Sequence, residues 1–550
     1  MISKRGCNST SRRGYDGHDP LRGNPPIVTG TPMTTGPETF NEVAGSVQDA
    51  APPASEVSGA SRAATIGPGT DAATTSRLQP QPHGLRRAGQ AARLLLAVAA
   101  GKTAASASRA AGRGGGTSLP GIVARRFDPH VLTHLVGDRG LTAVAVTGTN
   151  GKTTISRFTA ALLRGEGLRV AHNSAGSNLL QGVTSLAIQS VDLRGRMSPA
   201  VFVAEVDEGA LLRVAPEIKP RVLLVSNLFR DQLDRFGEIY AVADAIDRVA
   251  TALPPDATLI VNADDPMVAE IGASRVGRRM TFGLEVAADF DRITSAADTI
   301  RCPRCRVDLH YDHVYLSHLG DFRCENCGFT RPPRDVAMTR VEVRGLSETA
   351  VTVRTPRGEF TLTIPHAGIH IAYNAAAALT VCAALGVDTP RAAASLASVP
   401  AAFGRLERIT ADEREIVLAF AKNPTSFNAT LRTLQLAGEP RHLLLAVSNT
   451  LVDGEDFGWL WDVEFEAVVP AAECITVSGL RADELATRIK YAGADQSRVR
   501  VVPDRAAALD AALAAVPPGG RLTALAGYTP TIELRQEMRR RGWVGHYWAA

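Results

Sequence analysis

Short β-branched runs alternate with longer amphipathic stretches through most of this chain. The segments 141–146 (LTAVAV), 201–206 (VFVAEV), 221–226 (RVLLVS) and 258–262 (TLIVN) are almost continuously apolar, which predicts strands buried on both faces. Helical patterns separate them, and strands alternating with helices predict a parallel, doubly wound sheet. A second series, 442–448 (HLLLAVS), 474–479 (CITVSG), 499–503 (VRVVP) and 522–527 (LTALAG), predicts a smaller Rossmann-like α/β domain towards the C-terminus. Between the two series, residues 341–365 alternate apolar and polar positions and predict antiparallel hairpins.

Upstream, residues 85–136 carry Ala, Leu and Arg at helical spacing, interrupted by GRGGGTSLPG, and predict a pair of helices. The first 80 residues hold only two aromatics, Tyr15 and Phe40, among many Gly, Pro, Ser, Thr and Ala. Such a segment buries too little apolar surface to offset its ordering entropy. The expected organisation is a disordered tail at 1–90, or an over-extended start, then a helical lead-in at 91–140, a central α/β domain at 141–365 and a C-terminal α/β domain at 366–550. No solenoid repeat is present.

Composition narrows the function classes. With 550 residues, 45% hydrophobic and 21% charged, the chain is neither collagen-like nor wholly disordered. A net charge of +4 does not imply a polyelectrolyte partner, so no nucleic acid is expected. Only six lysines (4, 102, 152, 219, 422 and 490) stand among the 60 basic residues, which marks Lys152 and Lys422 as places where a compact ammonium matters. The run 94–100 (LLLAVAA) is far shorter than the ~20 residues of a membrane span. The polar opening lacks a signal peptide, so a cytoplasmic protein without a transmembrane segment is expected.

The first strand leads into Thr147-Gly-Thr-Asn-Gly-Lys-Thr-Thr154, which opens a helical pattern. Glycines let backbone amides face a phosphate, the helix N-terminus adds positive potential, Lys152 reaches the terminal phosphates and Thr153 suits Mg²⁺. The general P-loop carries glycine where this chain has Val146, so the turn is a shortened variant. Two C-x2-C knuckles, Cys302/Cys305 and Cys324/Cys327, are separated by 18 residues. Four thiolates in that pattern predict a closed, structural Zn²⁺ site within a ribbon at about 299–332, in a reducing compartment. His310, His313 and His318 are then expected on the ribbon surface, and Cys7, Cys382 and Cys474 as inert small residues.

The sequence TGTNGKTT resembles the nucleotide-binding turn of the Mur ligase superfamily, which includes the peptidoglycan amino-acid-adding enzymes and folylpolyglutamate synthases. AEVDEGA (204–210), SNLFRDQLDRFGE (226–238), HIAYNAAAAL (370–379) and FGRLERI (403–409) fit the same resemblance in order. It implies a parallel-sheet ATP-binding domain in which Thr149, Asn150, Gly151, Lys152, Thr153 and Thr154 hold ATP. Glu205 would ligate Mg²⁺, Asn374 touch the nucleotide and Arg405 contact phosphate. Taken singly, Glu205 also fits a solvated strand end, Asn374 a helix cap and Arg405 a surface ion pair.

The inserted ribbon, together with NTLVDGEDFGWLWDVEFE (449–466), is similar to one amidating branch of that superfamily. The resemblance implies ATP-dependent amidation of the D-glutamate α-carboxyl in the lipid II stem peptide to D-isoglutamine, through an acyl phosphate. Ammonia would come from a GatD-type class I glutaminase that takes the acidic member of its triad, Asp456, from this chain, with the C-terminal domain as its docking partner. The residues alone do not separate Asp456 from Asp453 or Asp462, and turn or cap chemistry suits each. Trp459 and Trp461 fit either interface anchors or core. Lys422 and Asn423 fit contacts to the nucleotide or incoming group, or a turn before a helix. A lipid-borne substrate implies work at the inner membrane surface, aided by the arginines at 86, 87 and 93.

Two rival functions remain. A stand-alone amino-acid ligase of the folylpolyglutamate type would need no glutaminase. A nucleic-acid-binding ribbon would use Arg301, Arg304, Arg306 and Arg323, but Asp308, Asp321 and Glu325 interrupt any basic face.

Overall fold

A computed structural model of the protein describes residues 83–110, 118–173, 177–230, 239–292, 298–399, 406–438, 440–450 and 452–545. The expected tail therefore lies outside the described residues up to position 82, and so does Arg405.

The first α/β series forms β1 (Thr142–Thr147), β2 (Val170–His172), β3 (Val201–Glu205), β4 (Val222–Val225), β5 (Thr258–Asn262) and β6 (Arg279–Leu284). A short hairpin follows, β7 (His310–Leu316) and β8 (Leu319–Arg323), and then three further strands, β9 (Val336–Arg344), β10 (Glu348–Thr355) and β11 (Gly358–Ile364). The C-terminal series comprises β12 (Glu407–Ala411), β13 (Arg414–Phe420), β14 (His442–Ala446), β15 (Cys474–Ser478), β16 (Val499–Val501) and β17 (Arg521–Ala526).

Nine strands make one sheet in the order β11-β10-β9-β6-β5-β4-β1-β3-β2. Its members from β2 to β6 run parallel, β9 joins β6 in parallel, and β9, β10 and β11 pair antiparallel. The alternation read at 341–365 is thus two hairpin connections at one edge of the central sheet. Along β1 the pleat sorts residues into two cores. Val144 and Val146 pack with Ile155 and Phe158 on one face, while Ala143 and Ala145 pack with Phe202 and the helical lead-in residues Val98 and Leu132 on the other. The six-stranded sheet, in the order β12-β13-β17-β14-β15-β16, is parallel except for its β12–β13 hairpin.

The boundary expected at 366 falls elsewhere. The helix Ile369–Ala384 buries Ile371, Ala375, Leu379 and Cys382 in the core of the nine-stranded sheet, so the second sheet starts only at β12. An Ala-rich helix buried nearly all round carries no polar face to mark which domain it serves.

One buried network ties the β7–β8 hairpin to this layer. Asp264, just after β5, is fully buried and accepts hydrogen bonds from Leu284 N at 2.7 Å, Tyr373 Oη at 2.8 Å and an Arg331 guanidinium nitrogen at 3.1 Å. Arg331 also donates to Asp321 on β8 at 2.7 Å. Burial pushes the Asp264 carboxyl up to about 6, against the pull of Arg331. A Tyr373→Phe substitution, which deletes one donor to this carboxylate, should cost about 1–3 kcal/mol in urea unfolding. An unchanged midpoint and slope would contradict this account of the network.

Candidate active site

The turn after β1 is shaped by two glycines in the left-handed region, Gly148 at φ +119° and Gly151 at φ +86°. A Cβ at Gly151 would stand 2.3 Å from Asn374 Oδ1, and one at Gly148 would stand 2.3 Å from Ser226 Oγ, so backbone and side chains approach too closely for any larger residue. Two of the turn's amides are engaged inside the protein: Thr149 N donates to Asn227 O and Asn150 N to Asn227 Oδ1, both at 2.8 Å. The first bond of the following helix runs from Ile155 N to Gly151 O. The amides of Lys152, Thr153 and Thr154 therefore lie at the helix N-terminus, which favours an anion. An anion at this turn would meet the amides of 152–154 rather than those of Thr149 and Asn150.

Lys152 is 7% exposed. Its ammonium donates to Gly148 O and, at 2.9 Å, to Glu208 on the helix Glu208–Ile218. Burial alone would lower the Lys152 pKa, but Glu208, Asp207 and Glu205 outweigh it and hold the group above its ordinary value. Burial would likewise raise the Glu208 pKa, yet Lys152 and Lys422 hold it below the usual range. Asp207 is raised by burial and by Glu208; it caps that helix, accepting from Gly209 N at 3.1 Å.

Thr153 Oγ1 donates to Glu205 Oε1 at 3.1 Å, at the C-terminal end of β3. Asn173 orients this strand end by accepting from Glu205 N at 2.8 Å and donating to Glu205 O at 2.9 Å. A hydroxyl beside a carboxylate is a donor set suited to a hard cation such as Mg²⁺. Asn423 caps the helix Pro424–Leu436 and reaches across to Asn150 Oδ1 at 3.3 Å. It is thus the turn before a helix that its sequence allowed, and it also meets the glycine turn. Asn374, from the helix Ile369–Ala384, lies against Gly151 and lines a cleft of about 650 Å³ with Asn150 and Thr154.

A second cavity, about 710 Å³, is lined by Lys422, Asn423, Arg230, Asp453, Asp456 and Trp459, among others. Here the three rival aspartates separate. Asp453 spends both oxygens on the fold: one accepts from Thr450 Oγ1 at 2.6 Å and the other from Thr529 N at 2.8 Å. Asp462 lies 3.8 Å from the Arg230 guanidinium. Asp456 is exposed and accepts from Gly458 N with Oδ1 at 2.9 Å, leaving its carboxylate turned to solvent. Trp459 packs on Phe427, whereas Trp461 is 55% exposed beside Tyr491.

The thiol sulfurs of Cys302, Cys305, Cys324 and Cys327 all lie within 4.8 Å of one another. Arg306 at φ +65° and Gly328 at φ +73° follow the two knuckles in the left-handed conformation, folding Arg306 N back to Cys302 O and Gly328 N to Cys324 O. His310 and His313 lie towards the surface, but His318 does not: it is fully buried at the hairpin turn, its ring 4.8 Å from that of Phe229. Sequence reasoning missed His318, Glu208, Asn173 and Asn227. Of these, Glu208 and Asn227 lie within the segments 204–210 and 226–238 that the sequence singles out, whereas Asn173 and the burial of His318 carried no signal.

Residues 146–382 match the Mur ligase middle domain family and residues 420–530 the MurT ligase C-terminal family. The chain is 32% identical over 398 residues to the lipid II isoglutaminyl synthase (glutamine-hydrolyzing) subunit MurT of Staphylococcus aureus strain N315, covering 72% of this chain and 87% of that one. The chain belongs to the MurT family. The MurT of Streptococcus pneumoniae strain R6 is 31% identical over 394 residues, covering 69% of this chain and 83% of the relative. The MurT fold extends to more distant solved structures. A pseudomurein peptide ligase type C from Methanothermus fervidus superposes with a TM-score of 0.58 at 22% identity, covering 73% of this chain and 79% of its own. MurF from Acinetobacter baumannii gives 0.56 at 18% identity, covering 76% and 80%.

Replacing Lys152 by Met should leave the Glu208 carboxylate buried without its cation and lower stability by about 3 kcal/mol. Adding Glu208→Gln should recover most of that loss in denaturant unfolding. Additive losses in the double variant would show that the two groups do not act as a pair.

Proposed function

We propose that this protein is the synthetase subunit of a glutamine-dependent enzyme that amidates the D-glutamate α-carboxyl of the lipid II stem peptide. The reading rests on one arrangement above all: a lysine buried at the head of a glycine turn, beside Glu205 and Thr153, in a chain whose C-terminal sheet presents a solvent-facing Asp456.

ATP would bind with its phosphates at the amides of 152–154, and its γ-phosphoryl group would pass to the substrate carboxylate. The resulting acyl phosphate is an electrophile that ammonia attacks, forming the amide and releasing phosphate. Lys152 would offset charge on the transferring group. Glu205 and Thr153 would hold Mg²⁺, which screens the charge of the phosphates; Asn374 would contact the nucleotide, and Arg405, by family resemblance, a phosphate. The four cysteines suit Zn²⁺, because thiolates this close repel one another without a cation and four of them close the coordination sphere.

Ammonia would come from a GatD-type glutaminase docked on the C-terminal domain. Asp456 would accept the partner histidine's N–H, fix its tautomer and stabilise the imidazolium while the thiolate attacks glutamine. Asp453 is unsuited to that role because both its oxygens already bind the fold. The cavity lined by Asp456, Lys422 and Asn423 supports a short path for ammonia between the two reactions. Among the described residues no helix is long and apolar enough to cross a membrane, and we place the enzyme at the cytoplasmic membrane surface, where lipid II is presented.

In the reconstituted pair, Asp456→Asn should lower glutamine-driven amidation by about three orders of magnitude while amidation fed by ammonium salts persists. Equal loss with both nitrogen sources would remove the triad role and leave Asp456 as a structural residue.

A further inference from the structure

The cleft beside the glycine turn has two unlike ends. Asn150, Gly151 and Thr154 face the helix N-terminus, whereas Phe229, Leu316 and Leu319 form an apolar wall. Leu316 and Leu319 do not come from the nucleotide-binding turn or from the second sheet. They flank the turn of the β7–β8 hairpin, whose cysteines lie beyond its other end. We propose that this turn is the surface on which the base of the bound nucleotide packs, so that metal binding at the four cysteines sets nucleotide affinity. The inference rests on the ATP reading above and extends it to the recognition of the base.

Three sets of contacts connect the two ends of the hairpin. Tyr311 Oη, in the body of β7, donates to Thr299 O at 3.1 Å, just before the first knuckle, and to His318 O at 3.0 Å, in the turn. Phe322 on β8 packs with Cys302, Cys324 and Phe329, so the hairpin strand shares its core with the cysteines. Beyond the second knuckle, Arg331 N donates to Phe322 O at 3.0 Å and its guanidinium reaches Asp264, whose own carbonyl accepts from Gly320 N at 2.9 Å.

The turn in turn rests on the phosphate end of the site. The His318 ring packs at a tilt of 54° against Phe229, and Phe229 is held to the glycine turn by Thr149: Phe229 N donates to Thr149 Oγ1 at 3.0 Å, and that hydroxyl donates to Phe229 O at 3.2 Å. Phe229 is therefore shared by the cleft, the glycine turn and the hairpin. A flat heteroaromatic base gains from apolar contact on its faces, and an inserted hairpin supplies that wall only while its cysteine end is folded.

The test separates base from phosphate. Mg²⁺-ADP and Mg²⁺-tripolyphosphate, which lacks a base, are titrated calorimetrically into the full-length zinc-loaded protein, into Leu316→Ala, and into protein stripped of zinc by a chelator. Leu316→Ala and the stripped protein should each bind ADP about tenfold more weakly, with tripolyphosphate affinity retained. Unchanged ADP affinity in both would overturn the proposal. Parallel loss of both probes would overturn it too, by making the hairpin a general support of the glycine turn. Wild-type protein that binds neither probe would remove the nucleotide reading itself, and this inference with it.

Discussion

A single ammonium held almost out of water organises the centre of this molecule. Lys152 cannot be buried there alone, because desolvating an unpaired charge costs far more than one hydrogen bond returns. Glu208 answers it from the start of the next-but-one helix of the sheet, Gly148 O from the turn beneath, Asp207 from just after β3 and Glu205 from its last position. The sequence between Thr147 and Glu208 is thereby constrained as one unit. The glycines must turn the chain tightly, β1 and β3 must be neighbours in the sheet, and a helix must begin at 152 with its dipole aimed outward.

The second sheet comes up against that centre. Asn423 is capped into the helix Pro424–Leu436 and also touches Asn150, so the end of β13 is fixed against the glycine turn. From the same place, a cavity leads past Lys422 to Asp456. A ligase that added a free amino acid would need a pocket for that amino acid but no outward-facing carboxylate. Asp456 is the outward-facing carboxylate on which the proposed partner-dependent role rests.

Much of this was legible along the chain because apolar runs buried on both faces leave no ambiguity of period. All eight strands read along the chain are present, their ends within two residues of the reading, although β16 lies at a sheet edge and is only partly buried. The glycine turn was legible because its chemistry is local. What escaped reading was set by tertiary context. β2 is three residues long, β6 reads RMTFGL with a glycine inside, and neither stands out from its flanks. The helix Ile369–Ala384 was assigned to the wrong side of the domain boundary because burial all round erases the stripe that would show which sheet it covers. His318 looked like a surface residue of a short polar hairpin, and its burial depends on Phe229, nearly ninety positions away. The three aspartates at 453, 456 and 462 could be told apart only by what each oxygen binds, which no spacing encodes.

The most direct test of the central claim is ADP formation by the purified, metal-loaded protein with the proposed glutaminase partner, offered lipid II, ATP and glutamine, with the lipid product followed by mass spectrometry. The account predicts one ADP for each D-glutamate carboxyl converted to its amide, and neither product when Lys152 is replaced by Ala. ADP release without amide formation, or amidation that survives loss of Lys152, would contradict it.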